Sequence, residues 1–159
     1  MQRDMRCVCG WNTASLRIVL LLGITGLLAT SAVAQNARPQ PSLPETLRWI
    51  EKPGGLALQA GWVLGAESKP EPYLIRVQLA AGGRIPPHTH PDARPTTVLS
   101  GTLYVGFGAA FDESILVAMP TGAVYVAPAE VPHFLEARDG AVVYQEAGVG
   151  PTGTGWVKP

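Results

Sequence analysis

From Leu56 to Gln145 the chain is a succession of short apolar runs cut by turn residues, and this rhythm restricts the fold more than any other feature. The runs are 56–64, 73–79, 96–99, 102–107, 123–127 and 141–145, rich in Val, Leu and Tyr. Each has the length of a strand rather than of a globular helix. Gly82-Gly83, Ser100-Gly101, Thr121-Gly122 and Asp139-Gly140 separate them with residues that tolerate tight turns. No long amphipathic helix and no internal repeat interrupts the pattern. Short strands with regular turns predict one all-β domain, an antiparallel sandwich or barrel.

Upstream of that domain the composition changes twice. Residues 1–34 carry Arg3, Arg6 and Arg17 against one acid, Asp4, then an apolar run from Ile18 to Ala29 that closes on Ser31-Ala32-Val33-Ala34. A basic start, an apolar centre and a small-residue exit predict a signal peptide removed after Ala34. The apolar run is shorter than the ~20 residues of a spanning helix, so no membrane anchor is expected after cleavage. Residues 35–55 form a leader in which Pro39, Pro41 and Pro44 favour extended chain. Ser42 and Glu45 at capping-box spacing, with Leu43, Leu47 and Ile50 behind them, allow one short helix there. Residues 56–149 are the expected barrel and 150–159 a tail.

Cleavage changes the chemistry available. Cys7 and Cys9 leave with the signal, so the remaining domain cannot use disulfides. The whole chain holds 12 basic and 12 acidic residues; losing Arg3, Arg6, Arg17 and Asp4 leaves it slightly acidic. That balance argues against a nucleic-acid partner, which requires clustered positive charge. A small-molecule ligand fits better.

The three histidines of the sequence are His88, His90 and His133. On a strand, the spacing in His88-Thr89-His90 puts both imidazoles on one face. His133 follows Pro128-Ala129-Glu130-Val131-Pro132, just after a valine-rich run. Imidazole is the commonest protein metal ligand near neutral pH, and three converging rings supply most of a coordination sphere.

These residues resemble the two motifs of the cupin superfamily. Gly82, His88, His90 and Gly101 fall at the intervals of the first, G-x5-H-x-H-x3-4-E-x6-G. Gly122, Pro128 and His133 match the second, G-x5-P-x-G-x2-H-x3-N. The resemblance implies a small cupin-type β-barrel, double-stranded and jelly-roll-like, with a divalent metal held by His88, His90 and His133. Fe or Mn is the expected ion, with Zn, Ni and Cu as alternatives. The stretch Pro87–Asp92 with Thr97–Thr102 is similar to exported bacterial single-domain cupins, which implies a periplasmic location, and small cupins commonly form homodimers through edge strands.

The departures from the motifs shape the functional expectation. Arg94 stands where the motif places its glutamate ligand, and Glu130 and Ala137 replace its second-motif glycine and asparagine. A three-histidine sphere then remains, similar to that of some cupin-type iron dioxygenases. Arg94 either binds an anionic substrate group beside the metal or, the favoured reading, points outward or pairs with Asp92. Asp92 is a further candidate to approach the metal. Tyr104 is a candidate hydrogen-bond donor in the lumen, with ordinary strand packing favoured over that role. Trp49, Trp62 and Trp156 read as packing or subunit-contact residues, Phe107, Phe111 and Phe134 as core, and the glycine-dense 148–155 as a plain loop.

The leading expectation is a metal-dependent oxygenase or related lyase on a small acidic or phenolic molecule. A non-catalytic periplasmic metal- or ligand-binding protein and a metal-free barrel are the alternatives.

Overall fold

The computed structural model describes residues 41–52 and 55–158, so the expected signal peptide, 1–34, lies outside the described residues. Eleven strands follow in chain order. They are β1 (Ile50–Glu51), β2 (Leu58–Leu64), β3 (Pro72–Leu79), β4 (Arg84–Thr89), β5 (Arg94–Ser100), β6 (Thr102–Phe107), β7 (Val117–Pro120), β8 (Val124–Ala127), β9 (His133–Glu136), β10 (Val142–Val149) and β11 (Gly155–Trp156). Among the described residues, helix is limited to two short 3-10 turns, Pro44–Thr46 and Glu113–Ile115. The first replaces the expected leader helix. It begins one residue after Leu43, without a side-chain cap from Ser42.

The strands form two antiparallel sheets, ordered β1-β2-β3-β10-β5-β8 and β11-β4-β9-β6-β7. This is the antiparallel two-sheet architecture expected from the strand rhythm, in the jelly-roll form that the cupin resemblance implies, two sheets enclosing one interior. Alternation along β3 shows why these residues form it. Tyr73, Ile75, Val77 and Leu79 are buried while Leu74, Arg76 and Gln78 are only half-buried. Leu79, Leu103, Leu135 and Val142 are fully buried at the apolar part of the interior. Each such side chain contributes roughly 2 kcal/mol of transfer free energy.

Turn glycines set the strand connections. Gly101, between β5 and β6, has a φ of 78°, and a Cβ there would stand 2.6 Å from the carbonyl oxygen of Ala141. An L-residue would meet both the left-handed backbone and that contact.

One irregularity matters for the site. In the β4–β9 ladder Ile85 pairs with Leu135 and His88 with His133, so β4 carries one residue more than its partner over that stretch. The extra residue falls at Pro86-Pro87, and neither proline has an N–H for the ladder. A bulge of this kind reverses which residues face inward. Ile85 points into the interior before it, and His88 and His90 do so after it.

Candidate metal centre

His88 lies near the end of β4, His90 just beyond it, and His133 opens β9. The cross-strand partners His88 and His133 bring their ring centroids to 4.2 Å, and His90 stands 4.9 Å from the first and 5.2 Å from the second. Each ring offers one nitrogen to a group within which all such atoms lie 4.8 Å or less apart. Two nitrogens ~2.1 Å from one ion stand ~3–4.2 Å apart, so small side-chain adjustments bring all three into one sphere.

Backbone carbonyls fix the rings. His88 Nδ1 lies 2.8 Å from the carbonyl oxygen of Pro86, His90 Nδ1 2.7 Å from that of Gly153, and His133 Nδ1 3.2 Å from that of Val131. A carbonyl only accepts, so each Nδ1 carries the proton and each Nε2 presents a lone pair. His90 Nε2 and His133 Nε2 are buried without a hydrogen-bond partner. Buried polar atoms are rarely left so, and a divalent cation satisfies lone pairs that no donor reaches. The donor set therefore fits a divalent metal. Burial, ahead of the neighbouring His133, pushes His88 down to about 3. Burial and then the Arg94 charge push His90 down to about 4, and burial lowers His133. All three imidazoles are neutral at pH 7, the state a metal requires.

Arg94 occupies the place of the motif's glutamate and turns inward, 6% exposed. Its Nη1 donates to Glu146 Oε2 at 2.8 Å, and its Nη2 to Thr152 Oγ1 at 2.5 Å and the carbonyl of Gly153 at 3.0 Å. Asp92 Oδ1 lies 3.6 Å from Nε. The expected pairing with Asp92 is thus present but secondary, and the outward orientation is corrected. Glu146, the fifth residue of β10, is the dominant partner. Asp92 stays outside the imidazole group and accepts hydrogen bonds from Tyr73 and Thr152, each at 2.5 Å.

Tyr104 is not at the site. Its hydroxyl donates to Asp139 at 2.6 Å in an exposed position, and Arg138 lies 4.9 Å from its ring. The lumen role is corrected: Tyr104 alternates with the buried Leu103 and Val105 and faces away from the interior. Phe107 is likewise 43% exposed rather than core, although its ring is 6.1 Å from that of His133.

The C-terminal segment belongs to the site, against the reading of a plain loop. Gly153 receives both His90 and Arg94. Gly155 and Trp156 form β11, pairing with Thr89 and His88, and the Trp156 ring lies 5.6 Å from that of His88. Trp62 and Trp156 line a cavity of about 270 Å³ together with His88, His90, Arg94 and Glu146. Two tryptophans read as packing residues are therefore cavity walls. Neither was detectable from motif spacing, because both lie outside the motifs.

Replaced motif positions have local explanations. Glu130 keeps the left-handed backbone suited to the motif's glycine, with φ of 60°. Its N–H donates to the carbonyl of His90 at 2.8 Å, tying the loop before β9 to the site. Ala137 is fully buried and held through its main chain to Gly82 and Gly83.

The two-sheet jelly roll is a small β-barrel whose three convergent, tautomer-fixed imidazoles form a candidate site for a divalent metal. The family model described as Cupin matches residues 62–154, and the chain belongs to that family. Germin-like protein 5-1 of Oryza sativa subsp. japonica is 43% identical over 63 residues, 38% of this chain and 27% of that protein. The chain thus spans about a quarter of that relative. The polyketide cyclase RemF from Streptomyces resistomycificus shares the fold with a TM-score of 0.64 at 13% identity, over 76% of this chain and 87% of that one. KdgF from Halomonas sp. does so with a TM-score of 0.53 at 19% identity, over 68% and 93%.

Proposed function

We propose that this protein is an exported metal-dependent oxygenase, or a related lyase, acting on a small acidic or phenolic molecule at the three-histidine centre. The observation that carries the reading is the set of buried, neutral imidazoles presenting Nε2 lone pairs beside a cavity of about 270 Å³. In this reading His88, His90 and His133 hold Fe²⁺ or Mn²⁺. Such an ion supplies Lewis acidity and redox chemistry toward dioxygen, with coordination positions left open by a three-ligand sphere.

The chain's own residues supply binding and exclusion of water. Leu58, Ile75, Val77 and the tryptophans give the cavity apolar walls suited to an aromatic ring. Arg94 holds the C-terminal segment against the site rather than the substrate. The basic-then-apolar segment 1–34 supports export, into the periplasm of a bacterial source. Homodimerisation belongs to the same reading. The edge strand β8 exposes Val124 and Val126, and an unpaired apolar edge is stabilised by a second copy.

Protein loaded anaerobically with Fe²⁺ and mixed with catechols, flavonols, thiols or diketones tests the reading. Oxygen uptake dependent on one of these substrates is expected. Tight binding of metal and ligand with no oxygen uptake by any of them leaves a non-catalytic binding protein instead.

A further inference from the structure

The inner wall of the cavity carries one guanidinium and one carboxylate, and they are not equally available. The guanidinium of Arg94 is committed to Glu146, Thr152 and Gly153, with Asp92 on its remaining side and the Tyr73 ring 5.7 Å away. A ligand carboxylate could reach it only by displacing buried partners. Glu146 meets Arg94 through Oε2, and among the described residues no hydrogen bond engages its Oε1. The residue lines the cavity. Asp92 and Glu146 together outweigh the single charge of Arg94, so in the metal-free chain the local balance is negative. Lys52 and Glu67 also reach the cavity wall, but both are exposed and of opposite sign, where solvent screens them.

Register places that carboxylate beside an apolar wall. Glu146 pairs with Thr96 on one side and Ile75 on the other, and Ile75 pairs with Trp62. One row across the six-stranded sheet therefore runs from a carboxylate to an indole, both on the cavity. A planar ring carrying a hydroxyl matches that contrast; a ring carrying a carboxylate sets like charges together.

We propose that Glu146 selects the ligand: its available oxygen accepts a hydrogen bond from a ligand hydroxyl, so the cavity takes small hydroxylated aromatic molecules and rejects carboxylates of the same size. The proposal rests on the reading of this cavity as the substrate site and narrows that reading from acidic or phenolic molecules to phenolic ones.

Calorimetric titration with catechol and with salicylate tests it. These probes share an aromatic ring and one hydroxyl and differ in bearing a second hydroxyl or a carboxylate. The full chain is used both metal-free and loaded with zinc, which does not turn the probes over. In the metal-free form catechol is expected to bind at least about tenfold more tightly than salicylate, and Glu146→Gln to bring the two within about threefold; in the zinc-loaded form the ion's own charge draws salicylate and narrows the ratio. Glu146→Gln leaves a buried Arg94 short of its anion, so the double variant Arg94→Gln/Glu146→Gln accompanies it and is expected to narrow the ratio likewise. Salicylate binding the metal-free chain as tightly as catechol, binding of neither, or a ratio unchanged in a folded metal-free variant overturns the proposal. Zinc content measured on the same samples separates the two readings. Catechol preference without bound zinc refutes the metal centre and leaves the selection standing; bound zinc without the preference in the metal-free chain does the reverse.

Discussion

His90 Nδ1 lies 2.7 Å from the carbonyl oxygen of Gly153, sixty-three residues further along the chain. Arg94 Nη2 donates to the same oxygen at 3.0 Å. One backbone carbonyl of the C-terminal segment thus orients a metal-type imidazole and anchors the charged pair beside it. Partners that fix the ring orientation of a metal ligand commonly matter almost as much as the ligand itself.

Ending the chain after Pro151 removes Thr152, Gly153 and β11 while leaving the other ten strands intact. Metal affinity is expected to fall roughly 10–100-fold, the usual cost of losing such a partner. Competition with a chromogenic chelator measures it, and circular dichroism checks that the sheets persist. Unchanged affinity in a folded truncation removes the C-terminal segment from the site.

The buried pair Arg94–Glu146 gives a second expectation. Arg94→Met leaves Glu146 and Asp92 without their cation, at a cost of about 3–5 kcal/mol. Arg94→Met/Glu146→Leu removes the pair together and should recover a substantial part of that loss. Urea denaturation of the three proteins reads the difference. A single variant as stable as the wild type contradicts the burial assigned to the pair.

Much of this fold was legible before the structure, for identifiable reasons. Runs such as 73–79 and 102–107 alternate with the period of a strand, and Gly101 and Gly122 stand where φ is positive. The histidines were legible because a strand repeats every two residues. The direction of Arg94 was not, since it depends on Glu146, which becomes its neighbour only when β10 pairs with β5. The role of 150–156 was hidden for a different reason. Its hold on His90 and its pairing with β4 are made by the Gly153 carbonyl and the β11 backbone, which leave no mark in residue type, and Thr152 and Trp156 lie outside both motifs. Pro86-Pro87 did carry a signal for the bulge, two missing N–H groups inside a strand.

Glu130 adopts φ of 60° where the family motif has glycine. Glu130→Gly is expected to stabilise the protein by about 0.5–1 kcal/mol, the relief of left-handed backbone outweighing the entropy that glycine adds to the unfolded chain. Thermal unfolding measures it. A loss of stability shows that the Glu130 side chain makes a larger contribution than its backbone costs.

Acid should destabilise the metal-free protein through the histidines. Their folded values, about 3 for His88 and about 4 for His90 with His133 also lowered, lie below the ordinary 6.5. The unfolded chain therefore binds more protons below pH 6.5. Stability is fully present above that pH and is lost as pH falls through about 4 to about 3, levelling off once the folded histidines also protonate. Bound metal should fall over the same window, since protons compete for Nε2. Chemical denaturation between pH 8 and pH 4 checks the slope. His88→Phe should flatten it in part; an equally steep variant assigns the acid sensitivity to other groups.

Metal content of untagged protein tests the central claim most directly, measured by elemental analysis on the wild type, His88→Ala and His133→Ala. The wild type is expected to hold about one divalent ion per chain, with both variants empty. Metal at 100 times its dissociation constant should add about 2.7 kcal/mol to the wild type alone. Variants that keep both metal and this stabilisation, or a folded wild type that binds no divalent ion, would contradict the three-histidine centre.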